Sequence, residues 1–263
     1  MPLNFTDVLA SATRIDRGFA LSVPETWHQG RTAFGGFSAA VMLTAAMQVG
    51  GAGLPPLRSA ALSFIGPVYG AIEARARILR CGKNATWVAA EISREGEVVA
   101  SASFVFMGAA ASAVHFNDCP PPSGLIAPDE ARVFNAHALM PVFLKENFEV
   151  RFSLPKTANK TPELCWWARL KDRMGLDPMT EILLVGDALP PGVLPLLSGA
   201  TPVSSMTWQA NLLTAAPRTD DGWWLLQSRA DYAENGCSSQ TMRIWNAAGE
   251  PVVSGMQSIA VFG

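Results

Sequence analysis

Histidine, tyrosine, cysteine and charge are scarce in this sequence. Its 263 residues include three histidines, two tyrosines and four cysteines, and only 16% are charged. The cysteines are scattered, with no C-x-x-C pair and no histidine nearby, which argues against a zinc site or a disulfide framework. We therefore expect no metal. The net charge of −2 gives no electrostatic reason to expect a nucleic acid or an anionic membrane as partner.

Targeting segments and familiar cofactor motifs are also missing. No basic segment followed by an apolar run opens the chain at Met1, and apolar stretches are interrupted well short of the ~18 residues of a membrane span. We expect a cytoplasmic protein. G-x-G-x-x-G is absent, which disfavours a nicotinamide cofactor, and no cofactor is expected. G-x-S-x-G is absent too, so a serine hydrolase lacks its parts.

The chain does have a strong apolar content of 49%, arranged as a helix followed by strands. After a short helix (Phe5 to Thr13) and a strand (Arg14 to Val23), the uncharged segment Phe37–Val49 predicts a helix buried on nearly all faces. Strand-like runs separated by turn residues follow at 57–65, 71–80, 86–93 and 98–107. Short turns between them predict an antiparallel meander around the helix.

The second part of the chain repeats this plan. Strand-like runs at 147–154 and 164–171 precede a helix capped by Asp177 and ending near Leu189, and runs at 203–213, 223–231, 238–245 and 252–261 follow. Overlaying the last strands of the two parts sets Ser103 opposite Gln257. We predict an α+β double hotdog: two antiparallel sheets, each wrapped round a central helix, fused in one chain. The expected halves are 1–112 and 141–263, joined by a linker at 113–140.

Short motifs in both halves resemble the acyl-CoA thioesterase II type, a double-hotdog family. They are Phe34-Gly35-Gly36, Cys81-Gly82-Lys83-Asn84, Gly96-Glu97-Val98-Val99-Ala100-Ser101, Leu184-Val185-Gly186-Asp187 and Val253-Ser254-Gly255-Met256-Gln257. The resemblance implies hydrolysis of an acyl-CoA to a free acid and CoA. It also implies a catalytic Asp, Thr or Ser, and Gln, and these map onto Asp187, Ser205 and Gln257.

The middle member has two candidates. Alternation of the strand favours Ser205, on the same face as Thr207, Gln209 and Asn211, whereas a register with fewer gaps favours Thr201. A slip of one residue moves a strand's side chains to the other face, so both stay open. From the resemblance and this alternation we expect Thr207 to bind substrate.

Asp187 lies in the apolar stretch LLVGDAL, where a buried carboxylate is costly unless it is hydrogen-bonded. It is either a structural carboxylate bonded to backbone amides or a general base that activates water. Gly35 and Gly36, which open the first central helix, are expected at the substrate-binding site, since backbone N–H groups at a helix start can polarise a carbonyl.

Other functions compete with hydrolysis. A hotdog hydratase or dehydratase would need a D-x-N-x-x-H arrangement, which is absent, and the three histidines receive no role. A non-catalytic acyl-thioester-binding protein stays open, because Ser replaces Thr. Arg75, Arg77, Arg80 and Lys83 either meet the phosphates of CoA or form a solvated face. We also expect a homodimer or larger homo-oligomer, which a monomer in light scattering would contradict.

Overall fold

The computed structural model describes residues 3–134, 140–156, 159–198 and 201–262. The first half contains α1 (Phe5–Ala10), β1 (Thr13–Ile15), β2 (Gly18–Val23), β3 (His28–Gln29), β4 (Thr32–Ala33), α2 (Gly35–Gly50), β5 (Leu57–Phe64), β6 (Gly70–Cys81), β7 (Ala85–Arg94) and β8 (Glu97–Met107). The second half contains α3 (Val142–Asn147), β9 (Phe148–Phe152), β10 (Glu163–Leu170), α4 (Pro178–Gly186), β11 (Val203–Leu212), β12 (Trp224–Glu234), β13 (Cys237–Asn246) and β14 (Pro251–Val261). The predicted double hotdog is confirmed. Within the described residues, no helix is both long and apolar enough to cross a membrane.

The two predicted sheets are joined edge to edge. Neighbouring strands pair in the order β1-β2-β6-β7-β8-β5-β11-β14-β13-β12-β10-β9, and within the described residues each of these pairings is antiparallel. The junction is the pairing of β5 with β11, which sets Leu62 opposite Trp208. Because of this junction, one twelve-stranded sheet curves round both central helices. Residues of the two halves therefore meet in a single core.

The expected strand from Arg14 to Val23 is wrong, because the chain turns back in its middle. β1 and β2 form a hairpin, with Ile15 paired to Gly18. Arg17, the second residue of this two-residue turn, has φ of 55°, which lies in the left-handed region. The alternation of polar and apolar residues breaks at Asp16-Arg17-Gly18, and this break marks the turn.

The two central helices pack against each other inside the sheet. α4 begins as predicted, with the Asp177 carboxylate accepting from the backbone N–H groups of Met179 and Thr180, and with proline at its first position. α2 has no such cap, because Phe34 stands at its N-cap position. The first turn of α2 instead meets the last turn of α4, so the helices run antiparallel.

A second, smaller core covers the outer face of the second half. The described residues 108–134 cross this face, where Trp245 Nε1 donates to the Cys119 carbonyl at 2.8 Å and Trp167 Nε1 donates to the Ile126 carbonyl at 2.8 Å. Adjacent strand residues face opposite ways, so Trp166 and Trp224 lie in the main core while Trp167, Trp223 and Trp245 belong to the outer one. The tryptophan pairs thus divide between two cores.

Candidate active site

Asp187 lies where the two halves meet, directly after the last turn of α4. Its Oδ1 accepts a hydrogen bond of 2.6 Å from Gln257 Nε2, and the backbone N–H groups of Gly35 and Gly36 donate to the same carboxylate. A carboxylate of the second half therefore occupies the N-terminus of the first half's helix, where the helix dipole favours negative charge.

Burial dominates the acidity of this carboxyl group. It raises the pKa of Asp187 to about 7, although the hydrogen bonds from Gln257, Gly36 and Gly35 act in the opposite direction. These three partners are neutral, and no described cation forms an ion pair with Asp187. Asp187 as a whole residue is half-buried. The group can therefore exchange a proton with water near neutral pH.

The two glycines are required by close approaches at the start of α2. A Cβ added to Gly35 would lie 2.4 Å from Asp187 Oδ2 and 2.9 Å from Phe64 Cζ. A Cβ added to Gly36 would lie 2.5 Å from the carbonyl oxygen of Leu184 in α4. From the sequence we expect these glycines at the substrate-binding site. In the structure their N–H groups serve Asp187.

Gln257 lies on the inner face of β14, opposite Trp208 on one side and Gln240 on the other. The residue is 3% exposed. Gln240 Nε2 donates to Gln257 Oε1 at 2.9 Å, and Gln240 Oε1 accepts from the Gly192 N–H at 2.8 Å. Sequence reasoning missed Gln240. The alternation of Ser238, Gln240, Met242 and Ile244 was the available signal, because it places one large polar side chain on the face of β13 that points into the core.

A β-bulge decides the position of the candidate hydroxyl groups. Ser205 pairs with Ile259, whereas Thr207 pairs with Ser258, so Met206 is an extra residue in β11. Directly paired residues share a face, and Ile259 is fully buried. Ser205 therefore faces inward, on the side of Gln257, as a diagonal neighbour at roughly 7–8 Å between Cα atoms.

The expectation that Ser205 and Thr207 share a face is wrong, because the bulge reverses the alternation between them. Thr207 is exposed on the outer face of the sheet, away from Asp187. Thr201 precedes β11, outside the pairing of β11 with β14, whereas Ser205 lies within it. The structure thus brings Asp187, Gln257, Gly35 and Gly36 together, with Ser205 nearby on the same face.

The basic residues of β6 lie apart from this cluster. Arg75 and Arg77 face outward, and Arg75 forms an ion pair with Glu73 on the same strand. With Thr207 they line an outer groove of about 840 Å³ that does not include Asp187. Arg80 is exposed near the turn between β6 and β7. His137 lies outside the described residues.

One polar group near Asp187 lacks a partner. The indole N–H of Trp208 is buried and makes no hydrogen bond within the described residues. Its ring packs on Gly186, the residue directly before Asp187: a Cβ added to Gly186 would lie 2.9 Å from Trp208 Cη2. A buried donor without a partner is rare, and at this place it suits a water or a ligand oxygen.

The carboxylate keeps room for one further hydrogen bond. An ionised carboxylate offers about four lone-pair positions. Gln257, Gly35 and Gly36 occupy three of them. The remaining position can accept a hydrogen bond from a water molecule. This arrangement is suited to activating water for attack on an electrophilic carbon.

Both halves match one protein family. Residues 116–261 match the acyl-CoA thioesterase C-terminal domain, and residues 23–107 match the acyl-CoA thioesterase N-terminal domain. The chain therefore belongs to the acyl-CoA thioesterase family, as the motifs indicated.

Solved structures show the same fold at low sequence identity. A protein of unknown function with a hot dog fold from Alicyclobacillus acidocaldarius superposes with a TM-score of 0.87 at 21% identity, covering 100% of this chain and 99% of its own. A proposed thioesterase II from Thermobifida fusca gives 0.83 at 21% identity, with the same coverage. The acyl-CoA thioesterase II TesB2 from Mycobacterium marinum gives 0.72 at 18% identity and 99% of both chains. No curated protein sequence matches significantly.

Proposed function

We propose that the protein hydrolyses acyl-CoA thioesters to a free acid and CoA, with Asp187 as the general base. The observation that carries the proposal is a buried carboxylate with a pKa of about 7, held by neutral donors from both halves of a chain in the acyl-CoA thioesterase family. A base whose pKa lies near the working pH is ionised often enough to act and still basic enough to take a proton.

The reaction begins with a water bound to the free lone pair of Asp187. Asp187 takes one proton from this water as the oxygen attacks the thioester carbonyl carbon, which gives a tetrahedral intermediate. The C–S bond then breaks, and the electron pair leaves with the CoA sulfur. The proton held by Asp187 passes to the thiolate, which yields CoA and the acid and restores the ionised base.

Ser205 and Gln257 orient the reactants in this scheme. The Gln257 amide keeps Oδ1 of Asp187 occupied, so the water must use the remaining lone pair. In this proposal the Ser205 hydroxyl, on the same face as Gln257, holds the attacking water by a hydrogen bond. The Trp208 N–H is free to donate to the oxygen that becomes negative in the intermediate.

A binding protein without turnover is the second candidate. It is favoured by one observation: Asp187 caps α2, which has no capping side chain of its own. A carboxylate retained only as a cap would stabilise the fold and leave an acyl thioester intact. A structural role and a catalytic role for Asp187 therefore predict different results for the substitution Asp187→Asn.

Release of free CoA from short, medium and long acyl-CoAs tests the proposal. Asp187→Asn should lower kcat by at least ~100-fold, the scale of losing a general base. Asp220→Asn, at an exposed loop position, is the matched control and should retain native turnover. Turnover by Asp187→Asn at the native rate would refute the role of Asp187. Binding of acyl-CoA without any CoA release by the native protein would favour the second candidate.

A further inference from the structure

Three hydrogen bonds form a one-way series behind Asp187, which we name the amide relay. The Gly192 N–H donates to Gln240 Oε1 at 2.8 Å, Gln240 Nε2 donates to Gln257 Oε1 at 2.9 Å, and Gln257 Nε2 donates to Asp187 Oδ1 at 2.6 Å. Gln240 is fully buried and Gln257 almost so. No water is needed to complete the series.

The direction of the amide relay is set at its backbone end. A backbone N–H can only donate, so the oxygen of Gln240 must face Gly192. The NH2 group of Gln240 then faces Gln257, whose oxygen must accept, and the NH2 group of Gln257 is left pointing at Asp187. This fixes an amide orientation that side-chain shape alone does not determine.

The loop that supplies the first donor has little freedom to move. A Cβ on Gly192 would lie 2.7 Å from the backbone nitrogen of Ala230 and 2.9 Å from the carbonyl oxygens of Pro162 and Ser228. The Ser228 hydroxyl also donates to the Pro190 carbonyl at 2.9 Å. Because Gly192 packs directly on backbone atoms, its N–H is held in place for Gln240.

We propose that Gln240 is a positioning residue that locks the Gln257 amide with its NH2 group toward Asp187. This inference rests on the proposed function for its catalytic meaning. Without Gln240, the Gln257 amide can rotate by half a turn whenever Asp187 is protonated, so that its oxygen accepts a hydrogen bond from the Asp187 O–H. That rotation stabilises the protonated acid, which is inactive as a base. Gln240 blocks the rotation and so favours the ionised base.

Gln240→Met tests the lock, because methionine keeps the volume and removes both polar groups. The ionisation of Asp187 is followed by ¹³C NMR of labelled aspartate carboxyls without substrate, with the resonance assigned by Asp187→Asn. We expect the Asp187 midpoint to rise by about one pH unit in Gln240→Met, the size expected for one lost hydrogen bond. The acid limb of kcat/KM should move by the same amount, with kcat changed more than KM.

Ser238→Ala is the matched control. Ser238 is fully buried on the same face of β13 and donates to the Tyr232 carbonyl, outside the amide relay. Its loss should lower thermal stability and leave the Asp187 midpoint at the native value. A folded Gln240→Met protein with the native midpoint would overturn the inference. Absence of turnover in the native protein would refute the proposed function alone, since the titration needs no substrate.

A second measurement covers failure of Gln240→Met to fold. In the native protein, the side-chain amide protons of Gln240 should shift with the same midpoint as the Asp187 carboxyl, because Gln257 transmits the change in charge. They should also exchange slowly with solvent, as a buried and hydrogen-bonded group does. Gln240 amide signals whose chemical shifts do not change as Asp187 titrates would overturn the inference.

Discussion

The pKa of Asp187 makes a quantitative prediction for activity against pH. If the ionised carboxylate is the base, the rate follows its ionised fraction, and burial raises the midpoint to about 7. At pH 6 about one tenth of the molecules are ionised, so kcat/KM should fall to roughly a tenth of its plateau, and to roughly a hundredth at pH 5. An ordinary aspartate near 3.8 would leave the rate unchanged over this range.

The titration of Asp187 does not cause acid unfolding that could mimic this fall in activity. Since its folded pKa lies above its unfolded value, the native state binds more protons between about pH 4 and 7. The contribution of Asp187 to the free energy of unfolding therefore grows as the pH falls through this window. Activity should decline while this contribution to stability increases.

Loss of thioester ultraviolet absorbance measures the rate without a pH-sensitive thiol reagent. Initial rates at low acyl-CoA concentration give kcat/KM from pH 5 to 9, and circular dichroism at each pH reports that the protein stays folded. Deuterated solvent should slow the plateau rate, because a proton moves in the step. An acid limb with its midpoint at pH 4 to 5 would refute the reasoning from burial.

Two substitution pairs test the geometry of the site. Gly35→Ala places a Cβ 2.4 Å from Asp187 Oδ2, so kcat should fall on the order of 100-fold. Gly53→Ala is the control, because its Cβ meets no atom within 4 Å, and it should retain native kcat. Equal rates of CoA release by the two variants would contradict the close approach at Gly35. Ser205→Ala should lower kcat about tenfold or more, because an inward hydroxyl is lost, and Thr201→Ala should not. A larger loss in Thr201→Ala than in Ser205→Ala would show that the bulge does not set the catalytic register.

The sequence predicted the elements of the fold better than their connections. Both central helices and the eight strands that follow them lie where periodicity sets them, because each element carries its own apolar pattern. The junction between β5 and β11 leaves no local pattern, since edge strands and interior strands alternate alike. It depends on contacts such as that of Leu62 with Trp208 across more than half the chain.

Irregular positions explain what was missed within the strands. The overlay of the two halves sets Ser103 against Gln257, but Ser103 pairs with Ala61 and Ala89 on the outer face whereas Gln257 faces inward. One extra residue reverses a face, and bulges such as that at Met206 have no reliable sequence signal. The meeting of Asp187 and Gln257 came from the family resemblance, because spacing alone cannot join residues 70 positions apart.

The junction of β5 and β11 also governs how the chain can fold as it is synthesised. When Met107 has left the ribosome, the first half has an open edge at β5 and an apolar α2 without its partner α4. About 100 further residues must be added before Leu212 completes β11. At about 5–20 residues per second this takes roughly 5–20 s. During that time the nascent half exposes an unpaired strand edge and an apolar helix surface, which are features that chaperones bind.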